Sequence, residues 1–94
     1  MAIEVTIELT GPAQLSARRQ DVSIAVEEGA TWRDVIAALA WEVPVLVGTA
    51  IAEDRRDLIW PYLLNLGGRK AITNLDAKAQ LKEGDCISLL MEPC

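Results

Sequence analysis

The fold is decided by residues 29–44, GATWRDVIAALAWEVP, which predict one helix with a defined start, end and apolar face. Thr31 and Asp34 have the spacing of a capping pair, in which two side chains satisfy backbone N–H groups at a helix start. Pro44 ends the helix, because the residue before a proline is pushed out of helical geometry. The apolar residues form one stripe at about 100° per residue: Trp32, Val35, Ile36, Leu39 and Val43. This stripe must cover an apolar surface.

Strand-like runs lie on both sides of the helix. Residues 3–9 alternate apolar with polar side chains, which is typical of a half-buried strand, and the alternation resumes at 22–26. We expect these two strands to form a hairpin. The connection over 13–20 is polar, with one apolar contact predicted at Leu15.

The second half of the chain predicts three more strands. One lies within 58–66 and starts after Pro61, because proline inside a central strand would remove a ladder hydrogen bond. A short strand follows at 69–72, and a last strand covers 86–91. Residues 45–57 have no clean period, so a short helix and an irregular crossover both stay open.

This order of elements predicts an α+β domain. Strand, strand, helix, strand, short strand and strand is the β-grasp arrangement, a mixed sheet of four to five strands with one main helix packed across one face. The chain of 94 residues is long enough for one modest core and too short for two, so we expect a single domain over 1–94.

Four short motifs have the order and spacing found in a known family. They are Thr10-Gly11-Pro12 after the first strand, Glu28-Gly29-Ala30-Thr31 before the helix, Asn65-Leu66-Gly67-Gly68-Arg69, and Leu81-Lys82-Glu83-Gly84-Asp85 before the last strand. In these motifs the chain resembles the ubiquitin-like sulfur carriers, the group that contains the small subunit of molybdopterin synthase and the thiazole-pathway carrier. The resemblance implies a ubiquitin-like β-grasp fold.

The resemblance also implies a chemistry that depends on the C-terminus. Carriers of this family end in a flexible Gly-Gly tail, whose carboxylate is adenylated by an activating enzyme and converted to a thiocarboxylate. The sequence given ends Leu-Met-Glu-Pro-Cys, so we expect the carrier fold without the carrier terminus. A true sulfur carrier of the molybdopterin or thiamine type stays open as the alternative, with Cys94 holding a persulfide in place of the thiocarboxylate.

Composition narrows the classes of function. The net charge of −5 argues against nucleic-acid binding, which needs basic surface to displace counterions from phosphates. The opening residues have neither a signal peptide nor a membrane span, so we expect a cytoplasmic protein in which Cys86 and Cys94 are free thiols. There is no histidine and no cysteine cluster with metal-ligand spacing, so the sequence predicts no catalytic, cofactor or metal site.

What remains is surface for a partner. Apolar residues make up 51 % of the chain, more than a core of this size can hide. Trp41 lies about 180° around the helix from Trp32, so either residues 45–51 cover it or it is kept for a partner. The predicted partner-binding residues are Trp41, Val45, Leu46, Cys86, Ser88, Leu90, Glu92, Pro93 and Cys94. We therefore expect a non-catalytic interaction or structural subunit that docks on a larger enzyme subunit or an activating-enzyme-like protein.

Overall fold

The sheet and its helices are seen in a computed structural model, which describes residues 2–60, 62–66, 70–72 and 74–91. The strands are β1 (Ala2–Leu9), β2 (Asp21–Glu27), β3 (Tyr62–Leu66), β4 (Lys70–Ala71) and β5 (Cys86–Met91). The helices are α1 (Gly11–Ala17) and α2 (Trp32–Glu42), and α2 is followed by one turn of 3-10 helix at Pro44–Leu46.

The five strands form one mixed sheet in the order β2-β1-β5-β3-β4. β1 pairs antiparallel with β2 and parallel with β5, while β3 is antiparallel to both β5 and β4. The parallel pairing runs from Thr6 beside Cys86 to Leu9 beside Leu89. The predicted mixed sheet is therefore confirmed, and the last strand, β5, lies at its centre.

Helix α2 starts at the predicted capping pair. The Thr31 hydroxyl accepts a hydrogen bond from the Asp34 backbone N–H at 3.3 Å, and Asp34 Oδ2 accepts from the Thr31 N–H at 3.1 Å. The bond from the Thr31 backbone, together with a hydrogen bond from Arg56, lowers the pKa of Asp34. Two further N–H groups of the first turn, those of Trp32 and Arg33, donate to carbonyls of residues 77 and 75. A segment distant in sequence thus completes the helix start.

The core lies between α2 and the inner face of the sheet. All five residues of the predicted stripe are buried, and so are the inward-facing residues of the strands. On the sheet these are Val5, Ile7, Leu9, Val22, Ile24, Val26, Leu64, Ile87 and Leu89. The alternation seen in the sequence therefore identifies the inner face correctly.

The connection between β1 and β2 differs from the prediction. It is a short helix, α1, with a proline at its start, where the fixed φ of proline suits the first turn. Ala13 is fully buried, whereas Leu15 is 79 % exposed. Two residues along a helix turn the side chain by about 200°, so the two cannot share a face. The predicted apolar contact at Leu15 is wrong, and Ala13 makes it instead.

Residues 45–57 combine both of the open alternatives. The 3-10 turn comes first, and isolated β-bridges then join Val47 to Ile51 and Ile51 to Leu58 in an irregular crossover. β3 begins at Tyr62, which agrees with a start after Pro61. Residues 67–69 of the family motif over 65–69 lie outside the described residues.

We expect Thr31→Ala to lower the free energy of unfolding by about 1 kcal/mol, because it removes one half of the capping pair. Thr31→Ser keeps the hydroxyl and should retain most of the stability. Urea unfolding followed by circular dichroism checks both variants. A Thr31→Ala protein as stable as the parent would mean that the cap does not hold the helix start.

Candidate partner-binding surfaces

The end of helix α2 presents an exposed aromatic side chain. Trp41 is 79 % exposed, so the described part of the segment 45–51 does not cover it. Val45, four residues further along the chain, is 53 % exposed. Of the two alternatives that the sequence leaves open for Trp41, coverage by the following segment is therefore wrong, and an uncovered side chain remains.

Leu46 must be removed from the predicted surface. Its side chain is fully buried in the core, where the 3-10 turn packs against α1 and α2. A partner cannot reach this side chain while the domain is folded. The adjacent residues Val45 and Leu46 thus have opposite roles, the first on the surface and the second in the core.

The outer face of the sheet carries the other predicted residues. Cys86, Ser88 and Leu90 alternate along β5 with the buried Ile87 and Leu89, so they point away from α2. Cys86 is exposed, and Ser88 and Leu90 are half-buried.

Neighbouring strands give this face an acidic side and an apolar side. Across the parallel pairing, Glu8 of β1 lies beside Ser88. Across the antiparallel pairing, Leu63 of β3 lies beside Leu90. Leu63 is half-buried and extends the apolar side, although the sequence analysis did not single it out.

The surroundings of Cys86 disfavour its thiolate form. Burial raises its pKa, and the negative charges of Glu8 and Asp21 raise it further. The thiol donates a long hydrogen bond of 3.9 Å to the Glu8 carboxylate. Because the thiolate is the reactive form, each of these effects lowers the reactivity of Cys86 near neutral pH.

The predicted residues therefore divide between two surfaces. Trp41 and Val45 belong to the helix side of the sheet, and Cys86, Ser88 and Leu90 belong to the opposite face. The last three predicted residues, Glu92, Pro93 and Cys94, lie outside the described residues, and their roles stay predictions.

Two further features bear on the class of protein. Among residues 2–60, 62–66, 70–72 and 74–91, no three His, Cys, Asp or Glu side chains are grouped so that they could hold a metal ion. In the same part of the chain, no helix is long and apolar enough to cross a membrane.

Comparison with known proteins gives matches in structure only. No protein-family model matches the chain, and no curated protein matches its sequence. Solved structures do match. Small archaeal modifier protein 1 from Haloferax volcanii is 21 % identical with a TM-score of 0.79, and the match covers 96 % of each chain. The chain has the ubiquitin-like β-grasp fold.

Two other solved structures also match the fold of this chain. Small archaeal modifier protein 1 from Methanosarcina acetivorans matches with a TM-score of 0.74 at 20 % identity, covering 97 % of this chain and 94 % of that one. A putative molybdopterin converting factor, subunit 1, from Pyrococcus furiosus matches with a TM-score of 0.66 at 20 % identity over 93 % and 94 % of the two chains. The β-grasp fold predicted from the sequence is confirmed, and the resemblance to the ubiquitin-like carrier group holds at the level of the fold.

The contrast between Leu46 and Val45 is open to a direct test. We expect Leu46→Ala to lower the free energy of unfolding by about 2–5 kcal/mol, because it leaves a cavity in the core. Val45→Ala removes a side chain that is mostly in water and should change stability by less than about 0.5 kcal/mol. Urea unfolding of the two variants measures both values. Equal losses would contradict the division between core and surface.

The acidic setting of Cys86 predicts a pH dependence. A raised pKa means that less thiolate is present at any pH below it, so alkylation by iodoacetamide near pH 8, about the ordinary pKa of a thiol, should be slower than for a model thiol. Glu8→Gln removes a negative charge, lowers the pKa of Cys86 and should speed the reaction. Measurement in a Cys94→Ser background isolates this thiol, and Glu53→Gln serves as the control. No difference between Glu8→Gln and Glu53→Gln would refute the role of Glu8.

Proposed function

We propose that this protein is a non-catalytic interaction subunit that docks on a larger protein in the cytoplasm. The observation that carries the proposal is the exposed Trp41 at the end of a well-packed helix. Tryptophan is one of the residue types enriched among interface anchors, and its rigid ring buries a large area with little loss of side-chain freedom. At 79 % exposure, this side chain contributes little to the core of the domain.

The charged groups of the described residues support a role without catalysis. The lowered pKa of Asp34 comes from a helix cap, and the raised pKa of Arg33 comes from its hydrogen bond to Asp76. Arg33 also donates to the carbonyl of residue 56, so it ties α2 to a loop. Structural contacts are sufficient to account for both shifts.

The names of the proteins with matching structures support a partner class. Proteins with the matching structures are named as modifiers and as a subunit of a converting factor, so a larger enzyme subunit or an activating-enzyme-like protein is the partner that we propose. The outer sheet face, with its apolar side at Leu63 and Leu90, is a second contact area for such a partner.

A sulfur carrier or protein modifier is the second candidate. It is favoured by one observation, the match over nearly the full length of both chains with structures of that kind. Intact mass of the protein isolated from its native source separates the two. An added sulfur or a processed C-terminus would favour the carrier, and an unmodified chain that travels with a larger protein would favour the docking subunit.

The docking role predicts the effect of Trp41→Ala. Against the partner that co-purifies with the native protein, we expect at least about a 30-fold loss of affinity, the size for an interface anchor worth about 2 kcal/mol. Trp60→Ala is the matched comparison, since Trp60 is also exposed, at 76 %, but is not part of either proposed contact surface, and an equal loss in both variants would mean that Trp41 is not the specific anchor. Isothermal titration calorimetry measures both. An unchanged affinity for Trp41→Ala, or a native protein without any partner, would contradict the proposal.

A further inference from the structure

The outer edge of β2 carries backbone groups that no described strand uses. β2 is an edge strand of the sheet, and the Leu9 N–H donates to the carbonyl of residue 20 at 2.8 Å. In an antiparallel pair, bonded and non-bonded residue pairs alternate. Val22, Ile24 and Val26 therefore bond to β1, and the N–H and C=O groups of Ser23 and Ala25 point outward.

The other side of β1 agrees with this assignment. Glu4 and Thr6, which lie opposite Ala25 and Ser23, bond to the chain before β5: the Thr6 N–H donates to the carbonyl of residue 85, and the Glu4 carbonyl accepts from the N–H of Gly84. Their backbone groups are thus turned away from β2. An added strand could pair with the outward groups of Ser23 and Ala25 without breaking a bond of the sheet.

A groove runs along this edge beside α2. Two adjoining depressions share Ala25 and Ala38 as lining residues. Ala30 lies at one end of the groove and Trp41 at the other. The small side chains along its length leave room for the side chains of an added strand, and Trp41 offers an apolar contact at the end.

The charge along the groove has one sign. Every charged residue that lines it is acidic: Glu4, Glu27, Glu28, Asp34 and Glu42. Asp34 is paired with Arg56 at 3.0 Å and Glu27 also has an interaction partner, but residues 20–32, which include the whole of β2, contain neither lysine nor arginine. These acidic residues favour a basic segment in the groove. They disfavour pairing with the β2 edge of a second copy, since like charges directly opposite are destabilising.

We propose that the β2 edge binds an extended, basic segment of a partner protein by strand addition. The inference rests on the proposed docking function and specifies how part of the partner is held. Main-chain hydrogen bonds to Ser23 and Ala25 supply the pairing. Alternate side chains of the segment face Ala38 and Trp41 on the helix side, and the remaining ones lie near Glu4 on the outer face.

The test uses a short blocked peptide that alternates lysine and valine as the probe. On titration of the intact protein, we expect the amide signals of Ser23 and Ala25 to shift in NMR spectra and their hydrogen exchange to slow. Binding should weaken as salt is added. A peptide with the same residues but N-methyl groups on alternate nitrogens cannot donate along one edge, and one with glutamate in place of lysine has the wrong charge. Both should bind at least about tenfold more weakly, a difference of 1.4 kcal/mol.

Variants of the protein locate the binding site. Ala25→Pro removes an outward N–H and no bond to β1, a position that an edge strand tolerates, so it should abolish peptide binding in a folded protein. Glu42→Lys should weaken binding several-fold, whereas Glu53→Lys, with the same change of net charge, should have little effect. Circular dichroism confirms the fold of each. If Ala25→Pro does not fold, the comparison of Glu42→Lys with Glu53→Lys decides whether the peptide binds at the groove. Equal binding by these two variants would contradict that location.

Three results would overturn the inference: no binding of the peptide, shifts confined to the face of Cys86 and Leu90, or equal binding of the N-methylated peptide. The docking function is judged separately, by the native partner and Trp41→Ala. A lost native interaction in Trp41→Ala together with a silent peptide would keep the docking function and remove strand addition. Peptide binding by a native protein that has no partner would keep strand addition at the β2 edge and remove the docking function.

Discussion

The parallel pairing of β1 with β5 is the constraint on which the rest of the structure depends. It joins strands at opposite ends of the described chain, with Ile7 beside Ile87 and Leu9 beside Leu89. A slip of one residue along β5 would turn Ile87 and Leu89 outward and place Cys86 in the core. Burial of these side chains therefore fixes the register of β1 with β5. The inner face of the sheet is apolar only in this register.

This pairing also determines which surfaces stay open. Because β1 bonds to β5 on one side and β2 on the other, β2 becomes an edge of the described sheet. Helix α2 then covers the inner face, and its N-terminus is held by Thr31, Asp34 and the carbonyls of residues 75 and 77. The outer face and the β2 edge have no covering element among the described residues.

The sequence predicts those parts of the fold in which local pattern and burial agree. Residues 3–9 and 22–26 alternate cleanly, and the Thr31 and Asp34 pair marks a helix start by its own chemistry, so each was assigned correctly. Trp41 also follows from local geometry, because a helix fixes the angle between its side chains. Whether anything covers that side chain depends on the path of 45–51, which has no periodic pattern.

The errors have one common physical origin. Helix α1 has no apolar stripe in its sequence, so its formation and the burial of Ala13 depend on what it contacts. One of those contacts is the turn Pro44–Leu46. Because the sequence does not predict α1, it also does not predict that α1 packs on this turn. Leu46 is therefore wrongly predicted to lie on the surface. Such mutual burial of two weakly patterned segments is a tertiary effect that neither segment predicts alone.

The separation of the two predicted surfaces limits how a partner can bind. Trp41 lies on the helix side of the sheet and Leu90 on the other face, so a flat partner surface cannot contact both. The β2 edge lies between the outer face, which includes Ser23 and Ala25, and the groove that ends at Trp41. A partner that follows this edge meets carboxylates on both sides, which repel acidic chains before contact is made. In the proposed strand addition, charge thus selects among partners, and the apolar and main-chain groups determine how strongly the selected one is held.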